Sequence, residues 1–336
     1  MKNTYNILLM MLAVLSACTR INSEQDESED TTPQFTTTSP VVHDPVLAKE
    51  KSHYYIYSTG NGVASMNSSD MNSWTMGKPL FQELPEWVKR ELPQATIHMW
   101  APDIYYKDGM WHIYYSVSVF GKNTSVIGHA TATSLAKGDW TDRGMVMKSV
   151  PNRDMWNAID PNIVEDNNGQ MWMTFGSFWD GIMLVKLKND LSGVYEPQEW
   201  YRIAHRHRTG GLSADDPGDG AVEAPFIFKK NGYYYLFAST DYCCRGMEST
   251  YKVVVGRSEN VMGPYWDADG VSMDNGGGTV VIEGDKVNWQ AVGHCSVYTI
   301  EGRDIFIAHA YDTEKGTPRL VMRNIEWKND WPIVKW

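Results

Sequence analysis

Three carboxylic residues hold comparable places far apart in the chain. Asp44 stands before Pro-Val-Leu, Asp160 before Pro-Asn-Ile-Val and Glu223 before Ala-Pro-Phe-Ile-Phe. Brought to one place, such groups repel one another and separate their proton affinities, which leaves one carboxyl protonated and another ionised near neutral pH. Hydrolysis of a glycosidic bond uses that pair: the protonated acid donates to the leaving oxygen, and the ionised carboxylate attacks the sugar or activates water. The 336 residues include 41 Asp and Glu, and most of those are turn or surface residues, so a shared place in a repeat is what singles these three out. His294 occupies the same place in a further segment.

The repeat consists of a polar residue, a short apolar strand, a polar turn and a second, aromatic-rich strand. Its copies pair Asp44-Pro-Val-Leu with Tyr54-Tyr-Ile-Tyr-Ser, Pro102-Asp-Ile-Tyr-Tyr with Trp111-His-Ile-Tyr-Tyr-Ser, and Asp160-Pro-Asn-Ile-Val with Met171-Trp-Met-Thr-Phe. Glu223-Ala-Pro-Phe-Ile-Phe with Tyr233-Tyr-Tyr-Leu-Phe and His294-Cys-Ser-Val-Tyr with Asp304-Ile-Phe-Ile-Ala-His complete the set. The copies start at 44, 103, 160, 223 and 294, spacings of 59, 57, 63 and 71 residues. From residue 40 onward, β-branched and aromatic runs alternate with Gly, Asn and Asp turns, and helical periodicity is almost absent. A multi-strand repeat of this length predicts an all-β fold, a five-bladed β-propeller over 40–336, with Asp44, Asp160, Glu223 and His294 converging at one mouth of its channel. A β-sandwich is the alternative, and it leaves the repeat unexplained.

A formal charge of -11 excludes a basic nucleic-acid footprint and disfavours polyanionic substrates. With 14 Trp, 18 Tyr and 9 Phe, a neutral ligand read by ring stacking fits the composition. Residues 1–17 have the layout of a secretory signal, with an apolar run from Ile7 to Leu15 too short to span a bilayer. The Leu15-Ser16-Ala17-Cys18 ending is like a lipobox, which predicts an exported bacterial lipoprotein of the outer membrane, anchored at Cys18. Residues 18–39 are polar and acidic and read as a flexible tether. Cys243, Cys244 and Cys295 remain. Three cysteines cannot all pair internally and an adjacent pair lacks zinc spacing, so they read as buried thiols.

These residues resemble glycoside hydrolase family 43, in particular its bacterial endo-1,5-α-L-arabinanases, from about residue 40 to the end. The resemblance is carried by Val42-His-Asp-Pro-Val46, Trp100-Ala-Pro-Asp103, Asn157-Ala-Ile-Asp-Pro161 and Gly176-Ser-Phe-Trp-Asp-Gly-Ile182. Val222-Glu-Ala-Pro-Phe226, Asp241-Tyr-Cys-Cys-Arg-Gly246, Ser249-Thr-Tyr251 and Gly293-His294 continue it, while Cys295 stands where Asn is expected. It implies an inverting mechanism with Asp44 as general base, Glu223 as general acid and Asp160 orienting the acid. It further implies sugar contacts from His43, Trp100, Phe120, Gly121, Asn157, Ser177, Phe178 and Trp179. His294 is implied as ligand of a water-coordinated Ca2+, although calcium's preference for oxygen argues against a lone histidine. The implied partners are arabinan and arabino-oligosaccharides. An exo-acting arabinanase, arabinofuranosidase or xylosidase on the same scaffold is one alternative; a noncatalytic glycan-binding propeller is the other.

Overall fold

The structure is a computed structural model that describes residues 36–209 and 216–336. The signal segment 1–17, Cys18 and the tether as far as residue 35 lie outside the described residues. Five antiparallel sheets follow one another along the chain as the blades of a five-bladed β-propeller. Their innermost strands are Val46–Glu50, His98–Lys107, Asn162–Glu165, Val222–Lys230 and Trp289–Ile300. Their second strands are His53–Ser58, Met110–Ser118, Met171–Phe175, Tyr233–Thr240 and Arg303–Asp312. Those second strands are Val-, Ile-, Tyr- and Phe-rich and bury both faces between neighbouring blades, which explains their nearly unbroken apolar character. Among the described residues the α-helix is the six-residue Glu86–Glu91. Thr36–Thr37, at the end of the segment read as tether, pair with Trp74–Met76 on the outer edge of the first blade.

Closure of the ring is made by the residues just before Asp44. Val41 bridges Arg319, the Val42 amide donates to the Pro318 carbonyl at 3.2 Å, and the Leu320 amide donates to the Pro40 carbonyl at 3.0 Å. The innermost strands enclose a cavity of about 570 Å³ that draws lining residues from all five blades, including Lys49, Tyr106, Glu165, Lys229 and Thr299.

The five-fold repeat has a backbone signature that corrects the alignment of the sequence copies. Asp44, Ala101, Asp160, Ala224 and His294 all take left-handed φ, at 54°, 40°, 58°, 55° and 48°. Where the inner strand already pairs upstream of this residue, a β-bulge surrounds it: Trp100 pairs Ser116 but Asp103 pairs Tyr114, and the same slip separates Glu223 from Phe226 and Gly293 from Ser296. The equivalent residue in the second blade is therefore Ala101 rather than Asp103, and in the fourth it is Ala224, one past Glu223. A bulge re-aims side chains at a strand end, so these five points set the directions of the groups at one channel mouth.

At such a residue the amide leaves the ladder and needs another acceptor. Thr59 Oγ1 accepts from Ala101 at 2.8 Å, Ser116 Oγ from Asp160 at 3.1 Å, Ser239 Oγ from His294 at 2.8 Å and His309 Nδ1 from Asp44 at 3.1 Å. Each acceptor lies at the end of the second strand of the preceding blade. In the fourth blade the acceptor is Asp160, whose Oδ2 takes the Ala224 amide at 3.1 Å.

Candidate active site

Asp44 is held on both oxygens. Thr59 donates its hydroxyl to Oδ2, and Oδ1 faces Nδ1 of His294 at 3.1 Å, of His309 at 3.5 Å and of His43 at 3.6 Å. Burial pushes its proton affinity up, but His294, His43 and His309 outweigh burial and hold the carboxyl well below the usual carboxylate range. Burial also pushes His294 and His309 down, so both rings are neutral near pH 7. Asp44 is thus an ionised carboxylate beside the neutral rings of His294 and His309.

Glu223 is in the opposite condition. It is buried, its Oε2 accepts from Ser177 Oγ at 2.6 Å, and its Oε1 accepts from Tyr251 Oη at 2.8 Å. Burial pushes its proton affinity up, the two hydroxyls offset part of that, and the Asp44 charge raises it further. Asp160, also buried, is raised well above the usual range by burial first and then by Glu223 and Asp44. Its bond to the amide of Ala224 fixes the backbone next to Glu223. The Tyr251 ring fits because residue 293 is glycine: a Cβ there would collide with the ring.

One ionised carboxylate and one carboxyl whose proton affinity burial raises, at one channel mouth and steadied by a third, are equipment for acid-base cleavage of a glycosidic bond. The family model "Glycosyl hydrolases family 43" matches residues 37–332. The chain belongs to that family. Over 299 residues this family 43 enzyme is 46% identical to an extracellular exo-alpha-(1->5)-L-arabinofuranosidase of Cellvibrio japonicus, covering 87% of this chain and 86% of the relative. It is 41% identical over 297 residues to an extracellular endo-alpha-(1->5)-L-arabinanase of Bacillus subtilis, covering 87% of both. The solved Cellvibrio cellulosa alpha-L-arabinanase complexed with arabinohexaose superposes with a TM-score of 0.85 at 45% identity, covering 88% of this chain and 96% of that one.

Of the residues read as sugar contacts, some are open and some are committed elsewhere. Phe120 is 75% exposed, its ring 6.3 Å from that of half-buried Trp100 in an edge-on arrangement, and Gly121 beside it has φ 72° with open space around its Cα. Phe178 is half-buried and lies 6.0 Å from the Tyr242 ring. His43 is partly exposed beside Asp44. Ser177, by contrast, gives its hydroxyl to Glu223, and Asn157 is buried with its Oδ1 accepting from Ser125 Oγ at 2.6 Å. Trp179 is 2% exposed.

His43, Asp44 and His309 could together hold a metal ion, and His294 adjoins them. A proton on His294 Nδ1 is what allows that atom to sit 3.1 Å from Asp44 Oδ1, and it leaves the Nε2 lone pair free to act as a ligand. The remaining neighbours are imidazoles, so the donor set does not form a calcium cage.

The residues that hold the carboxyls were not singled out by the sequence. Thr59, Ser116 and Ser239 are Ser or Thr at strand ends, without any distinguishing pattern. Tyr251 and His309 sit inside quoted words, Ser249-Thr-Tyr251 and Asp304-Ile-Phe-Ile-Ala-His309, where neither was given a role of its own. The cysteine reading is corrected: Cys243 and Cys244 form a vicinal disulfide, Cys243 partly and Cys244 largely exposed. Adjacent cysteines needed no distant partner, a pairing the count of three had set aside. Cys295 is a buried free thiol, as expected.

Proposed function

We propose that this protein hydrolyses α-1,5-L-arabinofuranosidic linkages of arabinan with inversion, cutting within the polymer. The observation that carries the reading is the opposed condition of Asp44 and Glu223: one carboxylate held ionised by imidazoles and a hydroxyl, one carboxyl whose proton affinity is raised by burial. Asp44 takes a proton from the attacking water as its oxygen bonds to the anomeric carbon, and Glu223 gives its proton to the departing sugar oxygen. Asp160 steadies the backbone beside the acid through its bond to the Ala224 amide. Exchange with solvent then restores both groups. Trp100 and Phe120 present rings suited to furanose faces, and His43 offers a polar edge near the base.

Arabinan as substrate is supported by the names of the two relatives and by the arabinohexaose complex of the Cellvibrio cellulosa enzyme. Internal cutting is supported by the Bacillus subtilis endo-acting relative. A second reading, cutting from chain ends, is favoured by the exo-acting relative at 46% identity. Linear arabinan decides between them: short oligomers and falling viscosity ahead of arabinose support internal cutting, and a single small product from the first minutes overturns it. Inversion is read by proton NMR, which should find the first-formed reducing end in the anomeric configuration opposite to that of the substrate linkage.

A divalent cation at His294 would supply positive charge that offsets the carboxylate cluster. No proton transfer above runs through it, and elemental analysis with chelation tests it. Export and a lipid anchor at Cys18 complete the proposal, supported by the apolar run before Cys18 and by the extracellular relatives.

A further inference from the structure

The Cys243–Cys244 disulfide lies in a loop between the second and third strands of the fourth blade, facing the supports of both catalytic carboxyls. Cys243 packs with Tyr251, Ala291 and Tyr311. Tyr251 is the phenol that holds Glu223. Cys244, at φ 63°, donates its amide to Tyr311 Oη at 2.8 Å. An amide can only donate, so the Tyr311 proton goes to one of the other partners of that oxygen, His43 Nε2 at 3.2 Å or the Ser249 hydroxyl. With His43 Nε2 as the acceptor, the ring proton sits on Nδ1, the atom 3.6 Å from Asp44 Oδ1. The His43 ring also lies on His309, at 4.0 Å between centroids, and His309 receives the Asp44 amide.

We propose that the vicinal disulfide and Tyr311 are a positioning unit for the reaction: the disulfide fixes the Cys244 amide, the amide fixes the Tyr311 hydroxyl, and the hydroxyl fixes the tautomer and tilt of His43 beside Asp44. The proposal rests on the reading of Asp44 as the base. Two adjacent cysteines joined in one small ring lose the backbone freedom that separate side chains would have, and the loop is otherwise open to solvent. Local bonds hold its far side: the Arg245 amide donates to Ser249 Oγ at 3.1 Å and the Thr250 amide to the Tyr242 carbonyl at 3.0 Å. Tyr311 is 1% exposed, so its hydroxyl depends on the Cys244 amide, His43 and the Ser249 hydroxyl for partners. None of these residues has to touch the reacting atoms.

The test is a cycle between the hydroxyl and the disulfide, read as kcat and KM on linear arabinan. Tyr311→Phe should lower kcat by roughly 10-fold while KM stays within about twofold, a share of the ~10²-fold that misplacing a catalytic group can cost. Reducing the native enzyme with dithiothreitol, which is oxidised to its cyclic disulfide as Cys243 and Cys244 become thiols, should lower kcat in the same sense. Reoxidation should restore it. The Cys243→Ala, Cys244→Ala double variant should match the reduced enzyme and ignore dithiothreitol. In Tyr311→Phe the reductant should have little further effect, because both changes act on one chain of contacts. A merely structural role predicts losses that multiply and follow thermal stability. Unchanged kcat on reduction and in the double cysteine variant, or independent multiplication with Tyr311→Phe, overturns the proposal. Asp44→Asn separates the two readings: if it is inactive while the cycle shows no coupling, positioning alone fails, and if it turns over normally, the base assignment fails.

Discussion

Asp44 and Glu223 differ less in burial than in what their oxygens meet. The Nδ1–H of His294 and a threonine hydroxyl favour charge on Asp44, whereas Glu223 is buried with two hydroxyls that offset only part of the cost of charge. Thr59 does two things at once, donating to Asp44 and accepting the bulge amide of Ala101. Thr59→Val keeps the shape and removes both bonds, and kcat should fall by about 10-fold or more, within the range of acid-base contributions, with KM little changed. Glu223 yields a stability prediction. Its folded-state proton affinity lies above the unfolded value of 4.5, so the wild-type protein loses stability as pH rises through 4.5 toward the folded value. Glu223→Gln cannot ionise and should be more stable than the wild type, by a margin that widens from about pH 4.5 upward and then levels off. Thermal unfolding across pH checks it, and a margin independent of pH counts against a raised Glu223.

The elements that carry the site are strand starts, each bent by one left-handed residue and capped from the neighbouring blade. Gly293 shows how tightly these starts pack, since its missing Cβ makes room for the Tyr251 ring. Gly293→Ala should displace that ring, loosen Glu223, cost about 1–3 kcal/mol of stability as an overpacked site, and lower activity on arabinan. A fully active and equally stable variant would show the close approach to be inconsequential. At this scale the sequence was legible in part. Strand runs and turn residues marked five copies, and Asp44, Asp160, Glu223 and His294 do share one mouth. The register within copies was not legible, because the left-handed position is filled by Asp, Ala, Asp, Ala and His, with no common residue type. Asp103 therefore looked equivalent to Asp44, although it lies two residues deeper and accepts the Ile163 amide at 2.7 Å. Buried there, its carboxyl is pushed up to about 7. The hydroxyls and phenol that hold the acids were hidden for a related reason: strand-end Ser and Thr, and a buried Tyr, have the same appearance in sequence whether or not they face a catalytic group.

On the scale of the whole molecule, ring closure brings distant parts of the chain together. Asp44 follows the three residues that pair with the fifth blade, while His294 and His309 come from that blade's first two strands, so the base environment is assembled only when the ring closes. The acid environment comes from the third and fourth blades with Tyr251. An acidic protein with aromatic rings at its open mouth is suited to a neutral polymer. The anchor proposed at Cys18 predicts that Cys18→Ala moves active enzyme from the membrane fraction to the soluble one, and an unchanged distribution would reject it. The division of labour between the two carboxyls has one direct measurement, turnover of Glu223→Ala on arabinan against an arabinoside carrying an activated aryl leaving group. A general acid matters most for a poor leaving group, so arabinan cleavage should fall by ~10²–10⁴-fold while the aryl substrate loses far less. Equal losses on both substrates would contradict the assignment of Glu223 as the acid.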